Sequence, residues 1–348
     1  MFDLSFIRIT YLQIVLNALR KHYGITTQQI GIPDSLMNEP MALVPFNDFM
    51  AWLEKIAALS GDPAYMLKLA PDLCFSQMGS LGEWYLSSPD LALAVRRINY
   101  GVSCLHSGAT YHGEQSGKIM KWSYDSPYAR QQARCLDSLR VATMMIKALR
   151  HYMGNDYSPL KVQISSALTG NSLADRQQAE KWFGCAIEWN APMTKVWIDL
   201  SILRHGSERA FSISRPMMVS NLQLDDLLNI PQPNDSAKIM FELVNYSRHY
   251  GVPNIEFVAE KLGFSKQQLQ RRLHHFGWTF SNITQYVICN LAIQYMQAGK
   301  PIDEISKLLG YTHPQSFTKA FQRQRGLTPK QYQQRLLERS RETISLNL

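Results

Sequence analysis

Along the last third of the chain the apolar positions follow one pattern written twice, first as IEFVAEKLGFSKQQLQRRLHHFG from Ile255 and then as IDEISKLLGYTHPQSFTKAFQRQRG from Ile302. Ile255, Val258, Leu262, Gly263 and Phe264 pair with Ile302, Ile305, Leu309, Gly310 and Tyr311. After one inserted residue, Leu269, Arg271 and Leu273 pair with Phe317, Lys319 and Phe321. Each copy predicts a short amphipathic helix, a tight turn at glycine and a second helix. The glycine suits a helix end that needs positive φ. Ser265 and Thr312 stand where the second helices would be capped. Apolar residues at i and i+4 (Leu269 and Leu273; Phe317 and Phe321) leave polar and basic residues on the opposite face. The reading is two helix-turn-helix units, at about 255–277 and 302–326. A helical solenoid pair would also repeat at this period, but two copies make no array and a Gln- and Arg-rich face does not suit one.

Upstream the period is mixed. Tyr11, Leu12, Val15, Leu16 and Leu19 form one helical stripe, and further helices are expected at Asn47–Leu59, Pro63–Ala70 and Asp90–Ser107. ATYHGEQ and KIMKWSY alternate around Gly117 as a β-hairpin. A helix from Arg130 to Tyr152 follows, with Leu136, Leu139, Thr143 and Ile146 on one seam. That seam suits either a dimer contact of near-heptad spacing or burial against a sheet. Leu160–Ser166, Cys185–Trp189 and Lys195–Leu200 read as strands and Asp175–Phe183 as a helix. Ile230–Pro233 and the polar residues after it form a break, so a linker is placed at 226–236. The fold class is therefore an α+β N-terminal domain, residues 1–225, followed by an all-α C-terminal domain, residues 237–340, with two helix-turn-helix units.

Charge sharpens this division. From Lys238 onward there are 15 Lys plus Arg against 7 Asp plus Glu, which accounts for the whole formal charge of +8; the preceding 237 residues carry 21 of each sign. A basic segment can be a solvated face or a binder of anionic membranes, but on duplicated helix-turn-helix units it is the footprint expected of a nucleic-acid reader. The N-terminus MFDLSFIRITYLQ lacks the features of a signal peptide, and no apolar run reaches the roughly 18 residues of a spanning helix. A cytoplasmic protein with no membrane partner is expected. Five scattered cysteines (Cys74, Cys104, Cys135, Cys185, Cys289) without a C-x-x-C pair read as small buried residues. His106 and His112 lack a third ligand at metal spacing. No phosphate loop, nucleophile elbow or zinc-protease helix is present, so neither catalytic residues, a metal nor a cofactor is expected.

Gly310, Tyr311, Phe317, Ala320 and Phe321, followed by Gly326, Thr328, Pro329, Tyr332 and Arg335, resemble the C-terminal signature of the AraC/XylS family of bacterial transcription activators. The resemblance covers residues 237–340. Upstream, the layout is similar to the longer sensory domain of one AraC-like branch. The helix between the two units departs from the family pattern: Ile288, Cys289, Asn290 and Leu291 precede Ala292 where charged residues are usual. This greasy helix either packs on the sensory domain or completes the reader core. The resemblance implies a transcription regulator, an activator by family habit, with RNA polymerase as a partner. It also implies an N-terminal domain that senses a small molecule, forms a homodimer, or both. A constitutive or architectural DNA-binding protein that uses its N-terminal domain only to oligomerise is the alternative.

The exposed face of the second helix carries Lys266, Gln267, Gln270, Arg271 and Arg272 in the first unit, and His313, Gln315, Ser316, Lys319 and Arg323 in the second. Gln pairs bidentately with adenine and Arg with guanine in the major groove. The resemblance places base readout best on Gln267, Gln270, Arg271, Gln315 and Lys319; Lys266 and Arg272 suit phosphate contacts, which position without specifying. The expected partner is double-stranded promoter DNA with tandem elements about one helical turn apart. In the sensory domain Trp84, Tyr85, Tyr100, Tyr111, Trp122 and Tyr124 are candidates for an apolar effector pocket, although ordinary core aromatics make the same pattern.

Overall fold

The computed structural model describes residues 2–167, 172–204 and 229–346. They gather into two compact units, one of residues 4–234 and one of residues 235–348 joined by residues 1–3. Part of the expected linker, 226–228, and residues 205–225 of the expected sensory domain lie outside the described residues.

The first unit opens with β1 (Phe6–Arg8), α1 (Thr10–Tyr23), the single turns α2 (Thr27–Ile30) and α3 (Asp34–Met37), and β2 (Leu43–Pro45), which pairs antiparallel with β1. Helices α4 (Phe46–Ser60), α5 (Tyr65–Leu69), α6 (Ser80–Leu86) and α7 (Leu91–Leu105) follow, and then a hairpin of β3 (Thr110–Ser116) and β4 (Ile119–Asp125). The long α8 (Arg134–Met153), β5 (Lys161–Gln163), α9 (Leu173–Phe183), β6 (Ile187–Glu188) and β7 (Thr194–Asp199) complete the unit. The expected Pro63–Ala70 helix is shorter, because the chain tightens into a 3₁₀ turn at Ala70–Asp72 around Pro71.

Five strands form one mixed sheet in the order β3-β4-β7-β5-β6, antiparallel except for the β5–β6 pair. Alternate residues Met120, Trp122 and Tyr124 of β4, with Val196 and Ile198 of β7, are buried, as a sheet with one covered face requires. α8 packs against β7, α4, α5 and α7. Its seam residues Leu136, Leu139, Thr143 and Ile146 are at most 3% exposed. The seam that the sequence left open between dimer contact and burial is therefore core, and α8 cannot offer it to a second copy.

The second unit is helical among its described residues: α10 (Ser236–Ser247), α11 (Ile255–Lys261), α12 (Lys266–His275), α13 (Phe280–Gln297), α14 (Ile302–Leu308), α15 (Pro314–Arg325) and α16 (Pro329–Leu346). Cys289, Ala292 and Met296 of α13 form one buried cluster with Ile305, Phe317 and Phe321, and Tyr311 and Tyr332 pack on it. The apolar character of α13 is thus explained inside the reader, whose second helix pair would otherwise lack a core. Phe2, 1% exposed, belongs to this unit: its ring lies 6.2 Å from Phe264 and 6.0 Å from Phe276. Nothing in the sequence pattern singled it out.

Candidate nucleic-acid interface

Two helix pairs build the interface from nearly the same parts. In the first, Asn254 caps α11, and the chain turns through Gly263 at φ +69° before entering α12. Ser265 caps α12 through the Gln268 amide, while the Gln268 side chain accepts from the Ser265 amide, a complete capping box. In the second, α14 ends through Gly310 at φ +80°. Here the cap differs from expectation: His313, not Thr312, precedes the helix, and its side chain makes no capping bond. The helices start 48 positions apart, at Lys266 and Pro314, so the extra residue of the second copy lies in the turn ahead of the cap. Pro314 fits the first helical position because that amide has no intrahelical partner. The extra turn residue moves the cap to His313 and leaves the positive end of α15 without a side-chain acceptor.

Leu269 and Leu273 on α12, and Phe317 and Phe321 on α15, are all fully buried. Their burial fixes the rotation of each helix. As a result Lys266, Gln267, Gln270, Arg271, Arg272, His313, Gln315, Ser316, Lys319 and Arg323 are all exposed. The structure brings the first five onto α12 and the rest onto α15 or its cap.

Local contacts already occupy part of the basic set. Lys266 Nζ lies 2.6 Å from Glu256 Oε1 on α11 and holds that carboxyl below its usual range. The Arg272 guanidinium stacks 4.4 Å from the Phe264 ring centroid. Arg271 and Arg272 line an open cleft with His275 and Phe276. His275 is a neighbour that the sequence reading passed over, although its spacing of i+4 from Arg271 places it on the same face. On the second pair, Arg325 donates to Asn290 Oδ1 of α13 and so braces α15 from behind. Among the described residues Lys319 and Arg323 have no ion-pair partner.

The sensory-domain candidates are less unified. Trp122, Tyr85 and Tyr124 are buried, Trp84 and Tyr111 half-buried, and Tyr100 is 48% exposed. Tyr111 packs 6.1 Å from Trp122 and 5.1 Å from Tyr124, while Trp84 packs on Tyr85 and under Arg97. Trp122 Nε1 donates to Asn99. Tyr85, Trp122 and Tyr124 thus fill core, with Trp84 and Tyr111 packed on them. Burial raises the Tyr85, Tyr111 and Tyr124 phenols well above their ordinary range. Among the described residues no group of three His, Cys, Asp or Glu could hold a metal, and no helix is long and apolar enough to cross a membrane.

Residues 26–206, more than half of the chain, match the family described as the arabinose-binding N-terminal domain of AraC transcription regulators, and residues 258–335 match a helix-turn-helix domain. The chain belongs to the AraC family of transcription regulators. Its AraC-type architecture pairs an effector-binding class of N-terminal domain with a DNA-binding C-terminal domain, and the family's members are regulators, not enzymes. The ornithine utilization regulator of Pseudomonas aeruginosa is 24% identical over 357 aligned positions, covering 96% of this chain and 98% of that one. Regulatory protein SoxS of Escherichia coli is 33% identical over 105 positions, 28% of this chain and 96% of SoxS. Among solved structures, transcriptional regulator CdpR of Pseudomonas aeruginosa is similar at 18% identity, with 93% of this chain and 98% of that one covered and a TM-score of 0.40.

Proposed function

We propose that this AraC-type regulator reads a bipartite promoter element through α12 and α15, placed in successive major-groove segments about one helical turn apart. The observation that carries the reading is the outward rotation of both helices, fixed by Leu269 and Leu273 on one and Phe317 and Phe321 on the other. Gln267, Gln270 and Arg271, with Gln315 and Lys319, read base edges. Lys266, Arg272, His313, Ser316 and Arg323 hold the backbone, and the uncapped positive end of α15 suits a phosphate. Residues 1–225 respond to a small effector, 226–236 link, and 237–340 read. The protein acts in the cytoplasm, as an activator that engages RNA polymerase. Pairing of two copies, where it occurs, uses a surface other than the α8 seam.

The test is selection of bound duplexes from random sequence by the full-length protein, followed by a salt titration on the winning site. Recovery of two motifs about one turn apart, with a steep fall in affinity as salt rises, supports the reading. Enrichment of a single half-turn element refutes the tandem arrangement, and binding without sequence preference favours the architectural alternative.

A further inference from the structure

The five-stranded sheet of the first unit ends in two unlike edges. At one end β6 is two residues long, too short to template a neighbour. At the other, β3 runs for seven residues, Thr110–Ser116, and pairs with β4 in an unbroken register over its full length. Among the described residues no strand lies beyond it. Every residue of β3 except the half-buried Tyr111 is exposed. An edge strand turns a row of backbone N–H and C=O groups away from its own sheet, and proteins usually blunt that row with lysine, proline, a bulge or shortness. Shortness protects β6. TYHGEQS has neither lysine nor proline, and its pairing with β4 has no bulge.

The side chains of β3 select what fits this edge. Thr110, His112, Glu114 and Ser116 share its outer face, because they stand opposite Asp125, Ser123, Lys121 and Ile119, out of step with the buried Met120, Trp122 and Tyr124. Tyr111, Gly113 and Gln115 take the core-facing side. A second copy laid antiparallel along the edge, with its core on the same side, must set outer-face residues opposite outer-face residues. Centring the two-fold axis on Gly113 pairs the whole strand: Thr110 faces Ser116 of the second copy, Tyr111 faces its Gln115, and His112 faces its Glu114. The symmetry supplies the His112–Glu114 pair twice. An imidazole N–H can donate to a carboxylate in either protonation state, and such cross-strand pairs stabilise a ladder. Glu114 lies 3.8 Å from Lys195, but its side chain is 57% exposed and keeps acceptor capacity. An axis at Glu114 would instead oppose the two carboxylates, and one at His112 would leave Glu114 opposite Thr110. Both also shorten the ladder.

We infer that two copies of this chain pair through β3, antiparallel about Gly113, so that their sheets join into one continuous sheet. At the axis Gly113 contributes no side chain, which leaves the two backbones free to approach. A seven-residue ladder is a small contact beside the roughly 1,200–2,000 Å² of a standard interface, so the association is weak and concentration-dependent. The inference names the surface left open for pairing of two copies in the proposed function, and rests on that part of it.

The experiment is register-specific disulfide trapping in the full-length protein without DNA, which captures even a weak pair. His112→Cys and Glu114→Cys are made separately, then mixed and oxidised. Opposed residues of an antiparallel ladder have Cα atoms about 4.5–5.5 Å apart, within disulfide reach. The mixture is expected to give a covalent dimer well in excess of either variant alone or of wild type, whose half-buried Cys74 and Cys185 report the background. In sedimentation, His112→Glu should weaken association about tenfold, since it opposes like charges twice. Adding Glu114→His in the same chain should restore it, because the pair is then only reversed. Tryptophan-fluorescence melts check that each variant keeps its fold. Cross-linking no greater in the mixture than in the single variants, or association unmoved by His112→Glu, would overturn the β3 surface while leaving pairing to another face. A chain that stays monomeric at every concentration and yields no cross-link would remove both. Selection of DNA sequences is read separately, and its failure would refute the tandem reader without touching the β3 pairing.

Discussion

Asp137 and Arg140 offer the sharpest energetic test of the sensory domain. They lie three residues apart on α8, 2% and 4% exposed, and are joined by two hydrogen bonds. Burial alone would lower the Arg140 pKa, but the Asp137 charge outweighs it and the net shift is upward, so the guanidinium stays charged. It also lies 5.0 Å from the Tyr11 ring centroid and 5.4 Å from that of Phe49. Asp137→Ala removes the only carboxylate that accepts from Arg140 among the described residues, and leaves the Tyr124 hydroxyl only the longer contact of 3.4 Å to His106 Nδ1. Breaking a buried pair from one side costs about 3–5 kcal/mol, a large share of the roughly 5–15 kcal/mol that holds a domain together. Replacing both members, Asp137→Leu with Arg140→Met, removes the stranded charge and should recover most of that loss. Urea unfolding followed by tryptophan fluorescence measures both, because six of the seven tryptophans lie in residues 4–234. A loss below about 1 kcal/mol for Asp137→Ala, or a double variant no better than the single, would refute the view of this pair as a mutually dependent buried unit.

Burial holds His106 neutral at a pKa of about 3, below its unfolded value of 6.5. Its contribution is thus fully present above pH 6.5 and is lost as pH falls toward 3. Between pH 7 and 5 the first unit should lose about 2 kcal/mol that His106→Gln does not lose, read as a difference in urea midpoints. Gly310→Val should weaken the second helix pair through backbone strain alone, since no atom lies within 4 Å of the added Cβ. A loss of specific DNA affinity without a change in the first unit's melting checks it, and unchanged affinity would mean this pair is no reader. Arg271→Ala should cost about 1–3 kcal/mol on the selected site and relax one base position. Lys266→Ala should weaken cognate and random duplex alike and lower the salt slope by about one. Uniform losses from both variants would contradict the division into base and phosphate contacts.

The reader was legible because its signals are local. Apolar spacing at i and i+4 fixes which way each helix faces, and a glycine at each turn marks a conformation that other residues adopt at a cost. Even there, an extra turn residue moved the second cap by one position. The sensory domain was legible in its longer elements: the hairpin around Gly117 and the helices over 46–60, 91–105 and 134–153 lie close to expectation. Its topology was not. β5 and β6 are three and two residues long, too short for alternation to show, and their parallel pairing depends on a long connection through α9. Which of the aromatic candidates meet, as Tyr111 does with Trp122 and Tyr124, was not legible, because composition says nothing about which rings pack together. Asp137 and Arg140 were hidden for a different reason: opposite charges at i and i+3 on a helix ordinarily read as a surface pair.

The two readers, so alike in sequence, are not alike in readiness. Before α12 can present Lys266 to a phosphate, the ammonium must leave Glu256, and Arg272 must leave the Phe264 face or carry that stack into the groove. On α15, Lys319 and Arg323 have no ion-pair partner among the described residues to surrender, and the helix end is uncapped. On the proposed reading, a cation released from a surface pair contributes less to binding than a solvated one, by an amount within the about 0–1 kcal/mol of such pairs. Glu256→Gln should therefore tighten the complex slightly and without regard to base sequence, whereas among the described residues no acidic side chain pairs with Lys319 to have the same effect. On the proposed reading, the asymmetry would give the second helix pair the stronger electrostatic hold and leave the first, with Gln267, Gln270 and Arg271, to contribute mainly through base contacts.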